Sequence, residues 1–307
     1  MRRTALLAVA ITAVAAGPAH AGQVIEVDGN HAQRVFEPAV PTRAEAELVA
    51  PRTRSGRATA SVVRARASTK QGRRAVYAAL RKELRRKHIT KSSYRRWRRT
   101  YVRSVRTLRR LSGARATQLR YVLTSVESLA LRRRLGATRM PAAFLQLERN
   151  RQYWPRLPYP ASRDAVSFKG SQLVFVYFPG EGLQLHPLST FKKANALYGF
   201  CERGEAACDE AALRRILDEM TALAVKRGRN FIAWEYQFYF GGGTPPWMSG
   251  MAQATGIQAL GRASKLLNEP KYAETARRAL GAFETAPPTG VRTTGPRGGV
   301  HYLQYSF

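Results

Sequence analysis

Few side chains in this sequence have both the type and the spacing that chemistry requires. Cys201 and Cys208 are the two cysteines. On a continuous helix their separation would put them about 10 Å apart along the axis, too far to bond. With Glu202-Arg203-Gly204-Glu205 as a loop between them, a disulfide pinning two helices is expected, two free thiols being the alternative. No histidine or carboxylate spacing completes a metal site around them. His186 stands alone, and a lone histidine more often serves a core or a hydrogen bond than a reaction. Gly241-Gly242-Gly243-Thr244 lacks the lysine that would follow in a phosphate loop and leads into Pro245-Pro246. No Ser-His-Asp or paired-carboxylate spacing stands out, so these residues alone do not mark the chain as an enzyme.

The elements that would have to position such groups begin with a leader. Arg2 and Arg3 precede an apolar run from Ala5 to Ala16, and Ala19-His20-Ala21 fits a small-x-small cleavage site. Residues 1–21 therefore read as a secretory signal peptide, too short for a stable bilayer anchor. No other long apolar run follows, so the expected mature protein is secreted or associated with the cell envelope, where disulfides persist. From Gly22 to Thr69 the composition is rich in Ala, Arg, Pro, Val, Thr and Ser, and Pro38, Pro41 and Pro51 interrupt any pattern. Such a stretch buries little apolar area and reads as a disordered linker, with a short strand near Val24–Val27 left open.

Residues 70–155 read as an Arg-rich helical bundle. Val76, Ala79, Leu80 and Leu84 share one face of a first helix, and Tyr94, Trp97, Tyr101, Val105 and Leu108 line a second. Leu119, Val122, Val126 and Leu129 mark a third, and Pro141 opens a fourth. Residues 51–140 hold 28 lysines plus arginines against Glu83 and Glu127, which is +26 of the chain's +32. That field attracts polyanions. Export argues against nucleic acid and for a uronic-acid polysaccharide or another extracellular polyanion. The plainer reading is compositional: 42 of the 52 basic residues are arginine, and a charged helix face is usually just solvated.

Beyond the hinge Trp154-Pro155-Arg156-Leu157-Pro158-Tyr159-Pro160, acids reappear and aromatics gather. Gln172–Phe178 is a candidate buried strand, and Pro187–Phe200 and Asp209–Lys226 are candidate helices, followed by extended chain over Phe231–Phe240. Pro245-Pro246 opens a helix from Trp247 to Ala263, with Glu269–Phe283 as its antiparallel partner. Met248, Met251, Ala252, Thr255 and Ala259 fall on one side of the Trp247–Ala263 helix, Ile257 and Leu260 on the other. Gly250, Gly256 and Gly261 leave parts of it bare. On pattern alone it is a core helix of an all-α domain.

The segment Pro245-Pro246-Trp247-Met248-Ser249-Gly250-Met251-Ala252-Gln253, behind Tyr236-Gln237-Phe238-Tyr239-Phe240 and Gly241-Gly242-Gly243, resembles the C-terminal domain of the D-glucuronyl C5-epimerase family. A second block, Gly182 to Phe191 running into Ala194–Tyr198, resembles that family's other recurring block at about the right distance. The resemblance implies a mainly α fold: a partial (α/α) toroid of helical hairpins with a few short strands over residues 156–307, behind the small basic bundle. It also implies an isomerase that epimerises glucuronyl residues in a polysaccharide by removing and returning the proton at carbon 5, without an organic cofactor. Such chemistry needs a base and an acid on opposite faces and cations near the carboxylate.

By the same resemblance the catalytic positions are Tyr305 and Tyr302, with Gln304, Gln253, Trp247 and His186 on the substrate side. Gln304 stands where the family's glutamate is expected, and glutamine cannot take a proton. Met251-Ala252-Gln253-Ala254-Thr255 departs from the family's pattern, and the sequence ends at Phe307, two residues after Tyr305. The toroid is therefore expected to be incomplete, as a fragment or as an altered relative. Tyr302 and Tyr305 also fit a strand that merely carries aromatics. The competing function is a non-catalytic, envelope-located polyanion-binding protein on a degenerate epimerase-like scaffold.

Overall fold

The computed structural model describes residues 21–42, 70–228, 230–295 and 297–307. The expected signal peptide lies outside these residues apart from Ala21, as does the 43–69 part of the expected linker. The earlier part of that linker is ordered. Ala21–Asp28 (β1) and His31–Pro41 (β2) form an antiparallel hairpin that turns at Gly29-Asn30. Val24, Ile25 and Val27 are buried because β1 also pairs in parallel with Ala165–Phe168 (β3), far along the chain. Local composition cannot reveal such a pairing, which explains why the stretch reads as linker.

Four helices follow: Lys70–Arg85 (α1), Lys91–Leu108 (α2), Gly113–Leu131 (α3) and Met140–Tyr153 (α4). Thr90 caps α2 by accepting from the Ser93 N–H at 3.1 Å, and Pro141 sits in the first turn of α4. Trp97 stacks on Phe144, with ring centroids 5.7 Å apart, and joins α2 to α4. The arginines between these apolar positions lie mainly on the outside.

Phe175–Phe178 (β4) and Gly182–Leu185 (β5) complete a five-stranded sheet of order β2-β1-β3-β4-β5, antiparallel except for β1–β3. Every residue of β4 and β5 is buried. As the edge strand, β5 has N–H groups with no sixth strand to receive them. Amide side chains from α3 and α4 take that role: Gln118 accepts from Gly182 N, Asn150 from Leu183 N and Gln146 from Leu185 N, each at 2.9 Å. The approach is so close that a Cβ on Gly182, whose φ is +83°, would meet Asn150 Oδ1 at 2.6 Å.

The remaining elements are Pro187–Glu202 (α5), Glu210–Ala222 (α6), Val225–Arg227 (β6), Phe231–Ala233 (β7), Gly250–Leu266 (α7), Pro270–Ala279 (α8), Arg292–Thr294 (β8) and Val300–Tyr302 (β9). A disulfide joins Cys201 and Cys208, with Cα atoms 4.4 Å apart, and fixes the turn between α5 and α6. Helix α5 packs on α6 and α7, and α7 on α8. The chain is mainly helical, but the expected partial (α/α) toroid behind a basic bundle is not what forms. Residues 165–185 supply three of the five strands of a mixed sheet, β3, β4 and the edge strand β5, with α3 and α4 against β5 and α5 against β2. One cluster of buried apolar side chains runs from Val24 to Tyr305. The overturning cause is backbone pairing: β3 pairs with β1 of the N-terminal hairpin, and β4 and β5 extend the sheet from β3. Among the described residues no helix is long and apolar enough to cross a membrane.

Candidate functional site

The segment between β7 and α7 is extended rather than helical up to Ser249. Tyr236 and Trp247 exchange two backbone hydrogen bonds, of 2.7 and 3.2 Å, and their rings stack with centroids 4.4 Å apart. Held in that bridge, Trp247 cannot start the helix. Ser249 caps α7 by accepting from Ala252 N, so the helix begins three residues later than the paired prolines suggest. Its buried face carries Ala252, Gln253, Gly256, Ala259, Leu260 and Ala263, while Met251 is exposed. A Cβ on Gly256 would meet the Phe191 ring at 2.6 Å, so the bare face of α7 is what admits α5.

The side chains singled out from the sequence divide into three groups. Gln253, fully buried, accepts from Trp234 N at 3.0 Å and donates to Trp234 O at 2.9 Å, bracing the strand end. Trp247 donates its indole N–H to Phe238 O at 2.7 Å. Truncation as Gln253→Ala leaves a buried N–H and C=O unpaired and is expected to cost about 1–3 kcal/mol in urea unfolding. Tyr302 and Gln304 form the second group and have exposed side chains; the Tyr302 ring packs edge-on against Phe283, and the Gln304 carbonyl accepts from Gly250 N.

Tyr305 and His186 make up the third group, and both belong to one interior cluster. Tyr305 is buried, stacked on Phe307 and edge-on to Trp247 and Phe240. Its backbone pairs with Ser249, so the C-terminal stretch closes over the start of α7. His186, fully buried, caps α5: its Nδ1 lies 2.7 Å from Ser189 Oγ and accepts from Ser189 N at 3.2 Å. Its Nε2 has no hydrogen-bond partner. Burial, with Arg163 and Lys192 nearby, pushes its pKa down to about 3, so the ring is neutral.

Arg163 is the centre of this cluster. It sits in the left-handed region at φ 71°, in the turn leading to β3, and its N–H donates to Tyr177 O at 2.9 Å. Its guanidinium lies 4.1 Å above the Phe178 ring and 5.9 Å from the Phe240 ring. Glu181, in the turn between β4 and β5, has a carboxyl that burial raises to about 8 against the opposing pull of Arg163 and Tyr121. Its Oε2 is buried without a hydrogen-bond partner. Tyr121, from α3, accepts from Tyr239 N at 2.9 Å, and burial followed by the Glu181 charge raises its pKa. Tyr305 is raised by burial to about 12, again opposed by Arg163. One guanidinium thus acts electrostatically on Glu181, His186 and Tyr305, three groups from separate segments.

Residues 227–307 match the family D-glucuronyl C5-epimerase C-terminus. This stretch is related to those epimerases, and it contains Tyr236–Phe240, Trp247, Gln253, Tyr302, Gln304 and Tyr305. No curated protein and no solved structure matches the chain. Arg163, Glu181, Tyr121 and His186 lie outside the epimerase-related stretch and are brought to it by the fold. Among the described residues no group of three or more His, Cys, Asp or Glu could hold a metal ion.

Sequence reasoning missed Arg163, Glu181, Tyr121 and Tyr239. One signal was present: Pro179-Gly180-Glu181-Gly182 places a carboxylate in a tight turn between the apolar run Phe175–Phe178 and the mostly apolar Gly182–Leu185, where it must be partly desolvated. Arg163 carried none.

Proposed function

We propose that this is an exported protein that epimerises glucuronyl residues of an anionic polysaccharide by removing and returning the proton at carbon 5. What supports the reading is that the Arg163 charge, held over the Phe178 and Phe240 rings, acts on both Glu181 and Tyr305. The guanidinium faces the sugar carboxylate and tolerates the charge that spreads into it when the proton leaves. Glu181, ionising near pH 8, is the base, since a carboxyl titrating close to the operating pH both takes and returns a proton. Tyr305 keeps its proton at neutral pH and is the acid that delivers one to the opposite face. Trp247, Gln253 and His186 hold the surrounding backbone. The reaction needs no organic cofactor.

The test is to incubate the full chain with glucuronan-type or heparosan-like polymer in deuterated water and to follow label at carbon 5. Incorporation together with appearance of iduronyl residues is the expected result; neither, under conditions where polymer binding is measurable, removes the enzymatic reading. Gln304, in place of the family's expected glutamate, favours the second reading, a polyanion-binding protein on an epimerase-related scaffold.

A further inference from the structure

A cleft of about 640 Å³ lies elsewhere on the molecule and shares no lining residue with the Arg163 cluster. Its walls are the turn between β1 and β2, the chain just past α2, the last turns of α4 with the residues that follow, and the end of β3. Five cations line it (Arg110, Arg149, Arg151, Arg156 and Lys169) against a single carboxylate, Asp28. Asp28 is taken by Lys169 at 2.8 Å, and Arg151 is taken by the neighbouring Glu148. The other three have no ion pair among the described residues.

Arg149 is the most constrained of these. Its guanidinium lies 4.5 Å over the Phe168 ring, Nη1 donates to Gln152 Oε1 at 3.1 Å, and Nε is buried without a hydrogen-bond partner. Glu219 and Glu148 act on it electrostatically but neither forms an ion pair with it, so this guanidinium is held in place by a ring and a neighbouring amide and remains able to take an anion from the cleft. Arg110 and Arg156 are exposed on the same walls and add two further contacts.

We infer that this cleft is a second, non-catalytic subsite that binds carboxylate groups of an anionic polysaccharide away from the proton-transfer centre. The polysaccharide class rests on the function proposed above; the anion preference rests on the cleft alone. The floor favours a sugar over a single-stranded nucleic acid. Such strands are gripped by bases stacking on open aromatic faces, whereas Phe168 is buried beneath Arg149. A long polymer held here stays attached between encounters of its residues with Arg163.

The experiment measures binding by the full chain, not exchange at carbon 5, so its failure is distinct from failure of the epimerase reading. The probes are glucuronan oligosaccharides and single-stranded DNA of equal charge, titrated over a range of salt. The variant Arg110→Glu/Arg156→Glu is compared with Arg95→Glu/Arg99→Glu, an exposed pair of equal charge change on the first half of α2. Unfolding midpoints establish that both variants are folded. The cleft variant is expected to bind glucuronan at least about tenfold more weakly and with a salt slope lower by about two, the second pair changing either far less. Equal losses in both variants would assign the binding to diffuse charge and overturn the proposal, as would no loss in either. Tighter binding of DNA than of glucuronan at matched charge would overturn the polysaccharide assignment.

Discussion

Replacing Glu235 by alanine is expected to destabilise the protein by about 3–5 kcal/mol, a cost typical of stranding a buried charge. The Glu235 side chain is 1% exposed and receives Arg139 Nε at 2.6 Å, Arg139 Nη2 at 2.9 Å and Arg227 Nη1 at 3.2 Å. Arg139 leads into α4, Arg227 ends β6, and Glu235 follows β7, so one carboxylate ties three segments together. Without it two mostly buried guanidiniums repel each other across an apolar gap. Urea unfolding should show the loss, with a melting point lower by on the order of 10 °C. The triple replacement Arg139→Met/Glu235→Leu/Arg227→Met should recover most of it, because it removes the charges along with the partner. A single Glu235→Ala loss under 1 kcal/mol would mean that solvent screens the triad.

The variant Glu181→Gln keeps the shape of the side chain and abolishes its titration. Exchange at carbon 5 should fall by about 10²- to 10⁴-fold, the usual contribution of a general base. In the unaltered protein the exchange rate should rise as pH climbs through about 8, where Glu181 loses its proton. Arg163→Gln should weaken polymer binding at the centre and move that midpoint upward, since Arg163 holds the Glu181 carboxyl down. Stability carries the opposite sign. Between the ordinary carboxyl value of 4.5 and about 8, the folded protein keeps a proton that the unfolded chain has released. Rising pH therefore favours unfolding across that window: the Glu181 contribution is fully present below 4.5 and lost as pH passes 8. Glu181→Gln should remove that slope. Undiminished exchange in Glu181→Gln would take the base role away from this residue.

The helices were legible because their information is local. Apolar residues at three- and four-residue steps, such as Tyr94, Trp97, Tyr101 and Leu108, mark a buried stripe without reference to any other segment. The sheet was not legible. Val24, Ile25 and Val27 sit in a proline- and arginine-rich surrounding and gain their cover from β3, and nothing near them in the chain announces it. The start of α7 was misplaced for a similar reason: Pro245-Pro246 signals a helix, but the Tyr236–Trp247 bridge holds the next residues extended until Ser249 can cap.

By itself, then, the sequence determined the local helices, the closeness of Cys201 to Cys208, the +26 concentrated in residues 51–140, and the resemblance of the C-terminal stretch to glucuronyl C5-epimerases. Only the tertiary structure decided where charge and burial meet. Arg163 acquires Glu181, His186 and Tyr305 as neighbours through the turns around β3, β4 and β5 and the closure of the C-terminal stretch over α7. The titration of Glu181 near neutrality is set by desolvation, which no residue carries in its own type. The basic cleft likewise exists because the fold sets the β1–β2 turn and the end of β3 across from the ends of α2 and α4, gathering scattered arginines around one space. Charge is written in the sequence; the environment that gives each charge its chemistry is made by long-range pairing.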